Sequence, residues 1–191
     1  MLYKDYLKSL NSVFEFRVIN KARKLYNEQL FEAYKNNITI KKSDWISCFG
    51  LAKNDSKEIL INTKLIPHLD DQLICLRHEL HHILYDKNVR IDNRDRYIYD
   101  LKMNEVNAYI ADCSLAVKLK PKNYDIKAQT KIYEKYGKQG IIDMVFSDRT
   151  FVINIKPGIL DLYSPSFSET YNQKFGDTWD SLYSLTNASK V

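Results

Sequence analysis

The fold is decided by one stretch of the chain, Leu76-Arg77-His78-Glu79-Leu80-His81-His82-Ile83-Leu84. Its apolar residues recur every three or four positions, which is typical of a helix that buries one face. On such a helix His78 and His82 lie one turn apart and about 40° apart around the axis. Two imidazoles can therefore reach a single metal ion. The spacing is H-E-x-x-H, which is the pattern of zinc hydrolases.

Glu79 is predicted to be the catalytic base of this site. It lies about 60° from His82 around the helix axis, so its carboxylate flanks the ion instead of binding it. Zinc lowers the pKa of a bound water to about 7, and a neighbouring carboxylate can accept the proton of that water. The residues alone therefore predict the metal-assisted hydrolysis of an amide.

The third metal ligand is predicted to be Glu105. A catalytic zinc site needs three protein ligands and one open position. No histidine follows His82 in the sequence, so a carboxylate must complete the set. Glu105 lies on the next predicted helix, where small alanines would allow a close approach to the first helix. The expected cofactor is Zn²⁺, bound by His78, His82 and Glu105.

Four further residues each have two interpretations or no assigned role. His81 lies about 100° from His82 around the helix axis, and it is expected to be exposed or to support a metal ligand from outside the ligand set. Cys75 is either a fourth ligand, which would make the site structural, or a small buried residue. Asp112 either holds a ligand histidine or is a solvated surface residue. His68 precedes the helix by too much to share its face.

The surrounding periodicity predicts an α+β fold in which a small antiparallel sheet packs beside a helical bundle. Residues 1–163 are expected to form a single domain, least defined from about residue 121, with an irregular tail over 164–191. The predicted elements are helices over 18–34, 70–85, 97–118, 124–136 (ending at Gly137) and 141–146, strands over 38–40, 45–52, 59–63 and 150–155, and a loop over 86–96.

The bulk composition favours a cytoplasmic protein. The net charge is +5, but the lysines are spread along the chain, which is typical of a solvated surface, and no direct nucleic-acid binding is expected. The three cysteines are widely spaced and predict no disulfide framework. The N-terminus lacks the apolar core of a signal peptide, and no apolar run approaches the ~20 residues of a membrane span.

Several motifs, in this order and spacing, resemble the ImmA/IrrE family of metallopeptidases. They are Gly50-Leu51-Ala52, Ile59-Leu60-Ile61-Asn62, the stretch over 76–84, and Glu105-Val106-Asn107-Ala108-Tyr109-Ile110-Ala111. The resemblance spans about Val18 to Leu119, and His81 stands where the family usually has glycine. It implies a cytoplasmic zinc protease, often encoded on a prophage or mobile element, whose protein partner is a helix-turn-helix repressor that it cleaves. Some relatives belong to toxin–antitoxin-like pairs.

Two other functions stay open at this level. The chain could be a metal-stabilised regulatory or toxin–antitoxin component that binds a protein partner without cutting it. It could also be a nucleic-acid-binding module in which H-E-x-x-H is incidental. Metal content separates the last function from the other two. Loss of activity in Glu79→Gln with zinc retained separates the protease from the non-cleaving binder.

Overall fold

The computed structural model describes residues 1–86 and 94–147, with the side chains of 94–98 and 147 excepted. Three of the predicted segments lie outside the described residues: the strand over 150–155, the tail over 164–191 and most of the loop over 86–96. The chain divides into two compact units. The first unit comprises Met1–Asp86 and Ala111–Lys127, and the second lies within Lys87–Ile110 and Ala128–Val191.

The described part of the chain is α+β, as the sequence predicts. The elements in chain order are α1 (Tyr3–Ser9), a 3-10 turn (Leu10–Ser12), α2 (Phe16–Lys35), β1 (Thr39–Lys42), β2 (Gly50–Lys53), β3 (Glu58–Ile61), α3 (Leu69–Tyr85), α4 (Arg94–Ala116) and α5 (Tyr124–Ser147). The helix predicted to end at Gly137 does break there, because Gly137 has φ 63° within α5. Glycine adopts this left-handed conformation without steric penalty. No helix of the described residues combines the length and apolarity needed to cross a bilayer.

The sheet is mixed, so the prediction of a purely antiparallel sheet is wrong in part. The strand order is β1-β3-β2. β2 runs antiparallel to β3, with Gly50 opposite Ile61, whereas β1 runs parallel to β3, with Ile40 opposite Ile59. The reason is that residues 43–49 carry the chain from one side of β3 to the other. β3 therefore lies in the centre and takes its direction from the β2–β3 hairpin.

The strand predicted over 45–52 is also shorter than expected. Only Gly50–Lys53 is a strand, and the preceding residues form bends, with Trp45 73% exposed. The side-chain amide of Asn62 donates a hydrogen bond to the carbonyl of Ile46 over 2.8 Å. This bond holds the bend against the end of β3, which replaces the strand pairing that the apolar sequence predicted.

The core of the first unit lies between α2, α3 and the sheet. Its fully buried side chains include Leu30, Ile59, Ile61, Ile66, Leu73, Leu76 and Leu80. Helix α2 is tied to α3 by Tyr26, whose hydroxyl donates to the carbonyl of Leu73 over 3.0 Å. Leu25 is 36% exposed, although its helical spacing from Val18 and Ala22 predicts that it lies on the buried side of α2. The backbone of Tyr26 leaves helical geometry (φ −150°, ψ 48°) and so places the tyrosine inside instead.

The first turn of α3 holds the segment that follows α4. Asp71 is completely buried, and its carboxylate accepts hydrogen bonds from the backbone amides of Lys122 (2.8 Å) and Asn123 (3.0 Å). Asp70 accepts from the amide of Lys120 over 3.1 Å and pairs with the ammonium of Lys21 over 2.6 Å. These two carboxylates therefore fix the end of α4 relative to the start of α3.

The second unit, over its described residues, contains the first part of α4 and most of α5. Lys102 is buried at 4% exposure, and its ammonium donates to the carbonyl of Phe146 over 3.0 Å. The same ammonium lies 5.5 Å from the centre of the Phe146 ring, and the Tyr99 ring is 5.6 Å from that ring. The charge of Lys102 is thus compensated by a carbonyl dipole and an aromatic face.

Candidate metal centre

Helix α3 presents His78 and His82 side by side. Their Nε2 atoms are 2.9 Å apart, and their side chains are only 15% and 11% exposed. Four residues make slightly more than one helical turn, so the two rings stand one above the other on the same face. The close pairing predicted from the spacing is therefore present.

A carboxylate fixes each of these rings from the opposite side. The Nδ1 atom of His78 lies 2.5 Å from Oδ2 of Asp112, and Nδ1 of His82 lies 2.8 Å from Oδ2 of Asp86. When such a carboxylate is ionised it can only accept a hydrogen bond, and the facing Nδ1 then carries the proton. In a neutral imidazole the other nitrogen is then unprotonated. The two Nε2 atoms, which face each other, are then both possible metal-ligand atoms.

Two unprotonated nitrogens 2.9 Å apart repel each other unless a positive charge lies between them. The charge can be a proton, which would make one imidazole cationic, or a metal ion. Tetrahedral zinc with Zn–N distances of 2.0–2.1 Å separates two ligand nitrogens by about 3.3 Å. The observed separation is close to that value, and a small ring rotation would complete the match. The donor chemistry of the two histidines thus fits a zinc ion.

Glu105 is the third residue of a group that could hold a metal ion. The ligand atoms of His78, His82 and Glu105 all lie within 4.8 Å of one another. Glu105 and Asp112 are seven residues apart on α4, so two helical turns place them on the same side of that helix. Two imidazole nitrogens and one carboxylate oxygen are a ligand set that catalytic zinc accepts.

Asp112 supports the site instead of facing solvent, which decides between its two interpretations. It is 5% exposed, and burial raises the pKa of its carboxyl group while the facing His78 opposes that rise. Asp86, which supports His82 in the same way, was not singled out from the sequence. The sequence feature that could have revealed Asp86 is its spacing, because a carboxylate four residues after His82 lies one helical turn away and can reach the ring.

Glu79 lies buried beside the two histidines along α3, at 6% exposure. Its side chain is in close contact with β2, because a Cβ atom added to Gly50 would lie 2.6 Å from Oε1 of Glu79. The structure thus brings the side chain of the predicted base against the first residue of β2. A buried carboxylate can transfer a proton when a reacting group lies within hydrogen-bonding reach.

The remaining residues singled out from the sequence lie outside the candidate group. Cys75 is buried at 5% exposure with a free thiol, and burial raises its pKa far above the ordinary value. His81 is half-buried and its ring packs 5.2 Å from that of Tyr85. His68 is the residue before α3 and is exposed. These positions agree with Cys75 as a small buried residue and with His81 and His68 as non-ligands.

Comparison of the chain with protein-family models, curated proteins and solved structures found no match. The assignment of a function therefore depends on the residues and their geometry.

Proposed function

We propose that this protein is a zinc-dependent endopeptidase, similar to the ImmA/IrrE metallopeptidases. The observation that carries the proposal is the pair of Nε2 atoms 2.9 Å apart, each on an imidazole whose Nδ1 is held by a carboxylate. This arrangement suits a cation bound by both rings, and a carboxylate oxygen of Glu105 lies within 4.8 Å of both ligand nitrogens. A carboxylate that holds the far nitrogen of a ligand histidine is characteristic of protein zinc sites.

Zinc held by His78, His82 and Glu105 would supply a Lewis acid that lowers the pKa of water and polarises a carbonyl. Three protein ligands leave one position open, which is the property that distinguishes catalytic from structural sites. The free thiol of Cys75 is buried and lies outside the ligand group, which favours this open arrangement.

Glu79 performs the proton transfers in this proposal. Its carboxylate accepts a proton from the water that attacks the carbonyl carbon of the substrate. It then gives that proton to the amide nitrogen as the C–N bond breaks, which leaves a carboxylic acid and a free amine. The burial of Glu79 supports this role, because a carboxylate withheld from bulk water exchanges its proton with bound groups instead of with solvent.

The substrate is proposed to be an extended segment of a protein. Within the described sheet β2 lies at an edge, and its first residue contacts Glu79. An edge strand can pair with an extended peptide through main-chain hydrogen bonds. The resemblance to ImmA/IrrE proteins indicates a helix-turn-helix repressor as the partner that is cut.

The test combines metal analysis with a cleavage assay. Purified protein should contain one zinc per chain by elemental analysis. It should cut repressors encoded beside its gene or members of a peptide library read by mass spectrometry. Glu79→Gln keeps the shape of the side chain but cannot accept a proton, so it should retain zinc and the melting temperature and lose at least ~10²-fold in rate.

Two results would contradict the proposal. Undiminished cleavage by Glu79→Gln would show that another group moves the proton. A zinc-loaded wild-type chain that binds a repressor and cuts neither it nor any library peptide would favour the non-cleaving regulatory function instead.

A further inference from the structure

The first residue of β2 lies so close to α3 that a side chain at this position would overlap Glu79 where it now rests. A Cβ atom built on Gly50 would be 2.6 Å from both Cγ and Oε1 of Glu79 and 2.8 Å from its Cδ. Real Cβ atoms essentially never approach another heavy atom closer than 3.0 Å. The side chain of Glu79 therefore occupies the space that any other residue at position 50 would need.

The backbone of β2 has little freedom to move away from Glu79. Gly50 is paired with Ile61, which is completely buried, and its carbonyl accepts a hydrogen bond from the thiol of Cys48 over 3.0 Å. On the preceding residue, the carbonyl of Phe49 accepts from the amide of Asn62 over 2.8 Å. The strand is thus fixed on both sides of the contact.

The backbone of α3 is equally constrained at Glu79. Leu76 and Leu80, which flank it along the helix, are completely buried in the core. Closely packed interiors transmit such overlaps as strain instead of absorbing them. Relief of an overlap at position 50 must therefore come mainly from a displaced Glu79 side chain.

We propose that Gly50 is the positioning residue for Glu79. The bare backbone at Gly50 forms one wall of the space that holds the Glu79 carboxylate, and the absence of a side chain sets where that carboxylate rests. The catalytic meaning of this contact rests on the proposed function, in which Glu79 moves a proton. The contact itself does not depend on that function and can be tested without it.

The decisive experiment is a double-mutant cycle on the full chain, read by thermal melting with and without a chelator. Gly50→Ala should lower the melting temperature by roughly 2–10 °C, as expected for overpacking in a chain of this size. In a Glu79→Ala background the same substitution should cause less than half of that shift, because the atoms that the new Cβ meets are gone. Equal shifts in the two backgrounds would overturn the inference.

Two further variants cover the remaining outcomes. If Gly50→Ala alone is too unstable to purify, the inference requires that the Gly50→Ala/Glu79→Ala double variant recovers a folded chain, and failure of both overturns it. Ala52→Gly is the matched control, because Ala52 is on the same strand two residues away. The change in melting temperature caused by Ala52→Gly should be the same whether residue 79 is Glu or Ala.

A kinetic measurement then separates positioning from a purely structural role. With a cleavable peptide, Gly50→Ala should lower kcat by about 10²-fold while zinc content and KM stay within twofold of wild type, as expected for a base displaced by about 1 Å. If the melting shift of Gly50→Ala depends on residue 79 but kcat is unchanged, the contact exists and the positioning role is overturned. If the melting shifts are coupled but the wild-type chain hydrolyses no substrate, the proposed function is overturned and the contact is not.

Discussion

Asp112 on α4 accepts a hydrogen bond from Nδ1 of His78 on α3 over 2.5 Å, with Asp112 only 5% exposed. This contact fixes the His78 ring with its Nε2 toward His82. A carboxylate in this position sets both the tautomer and the orientation of a ligand imidazole. The metal affinity of the site should therefore depend on a residue that does not touch the metal.

Asp112→Ala is expected to weaken zinc binding by about 10–100-fold, because the His78 ring loses the group that orients it. The affinity can be measured by competition with a zinc-binding dye. Asp55→Ala removes an exposed carboxylate in the turn between β2 and β3 and serves as the control, with no change in affinity expected. An Asp112→Ala chain with wild-type affinity would show that the ring needs no such support.

Each of His78→Ala, His82→Ala and Glu105→Ala is expected to reduce zinc from one ion per chain to a small fraction, because a three-ligand site loses a third of its donors. His81→Ala is the matched control, since it removes a histidine from the same helix whose ring packs on Tyr85. Elemental analysis after gel filtration gives the stoichiometry. Full zinc content in Glu105→Ala would show that the third ligand is a different residue.

The thiol of Cys48 is expected to report the charge of Glu79. Partial desolvation raises the pKa of Cys48, and the negative charge of Glu79 raises it further. Glu79→Gln removes that charge, so the pKa of Cys48 should fall and more thiolate should be present at pH 8. The chelator-treated variant should therefore be alkylated by iodoacetamide faster than the chelator-treated wild type.

Cys48 is the thiol to follow because Cys75 and Cys113 are buried with raised pKa values. Cys48→Ser should abolish the rapid alkylation of the native chain and leave two thiols that react only after denaturation. An identical alkylation rate in Glu79→Gln and wild type would place the Glu79 charge away from the bend that precedes β2.

Asp71→Ala is expected to lower the free energy of unfolding by about 3 kcal/mol, since it removes two hydrogen bonds between a buried carboxylate and backbone amides. Asp71→Asn keeps one good acceptor oxygen and should lose less. Urea denaturation followed by circular dichroism gives both values, again with Asp55→Ala as the control. A loss below about 0.5 kcal/mol would mean that water replaces the carboxylate at the amides of Lys122 and Asn123.

The helices and the histidine pair follow directly from the sequence because both depend on local periodicity. The 3.6-residue repeat around Leu76 and Leu80 predicts α3, and the i, i+4 spacing then places His78 against His82. The break in α5 is equally local, since it depends on Gly137 alone. No element is predicted before Val18, so helix α1 is an addition from the structure.

The features that the sequence does not predict depend on contacts between distant segments. The mixed sheet arises because β1 pairs with the far side of β3, and no local pattern records which side a strand joins. The support of His82 by Asp86 depends on how the chain leaves α3. The need for glycine at position 50 becomes visible only when β2 lies against Glu79.

The hydrogen bonds between Asp71 and the segment after α4 also limit how far the end of α4 can slide along α3. Asp71 acts at one end of α3, and His78 holds Asp112 about two turns farther along. A slip of one residue moves a helix about 1.5 Å along its axis and would displace the partners of the bonds at both places from their present alignment. The helix end is therefore restrained against translation at two separate points. The direction of the His78 ring is set by the axial alignment of two helices and not by a loop.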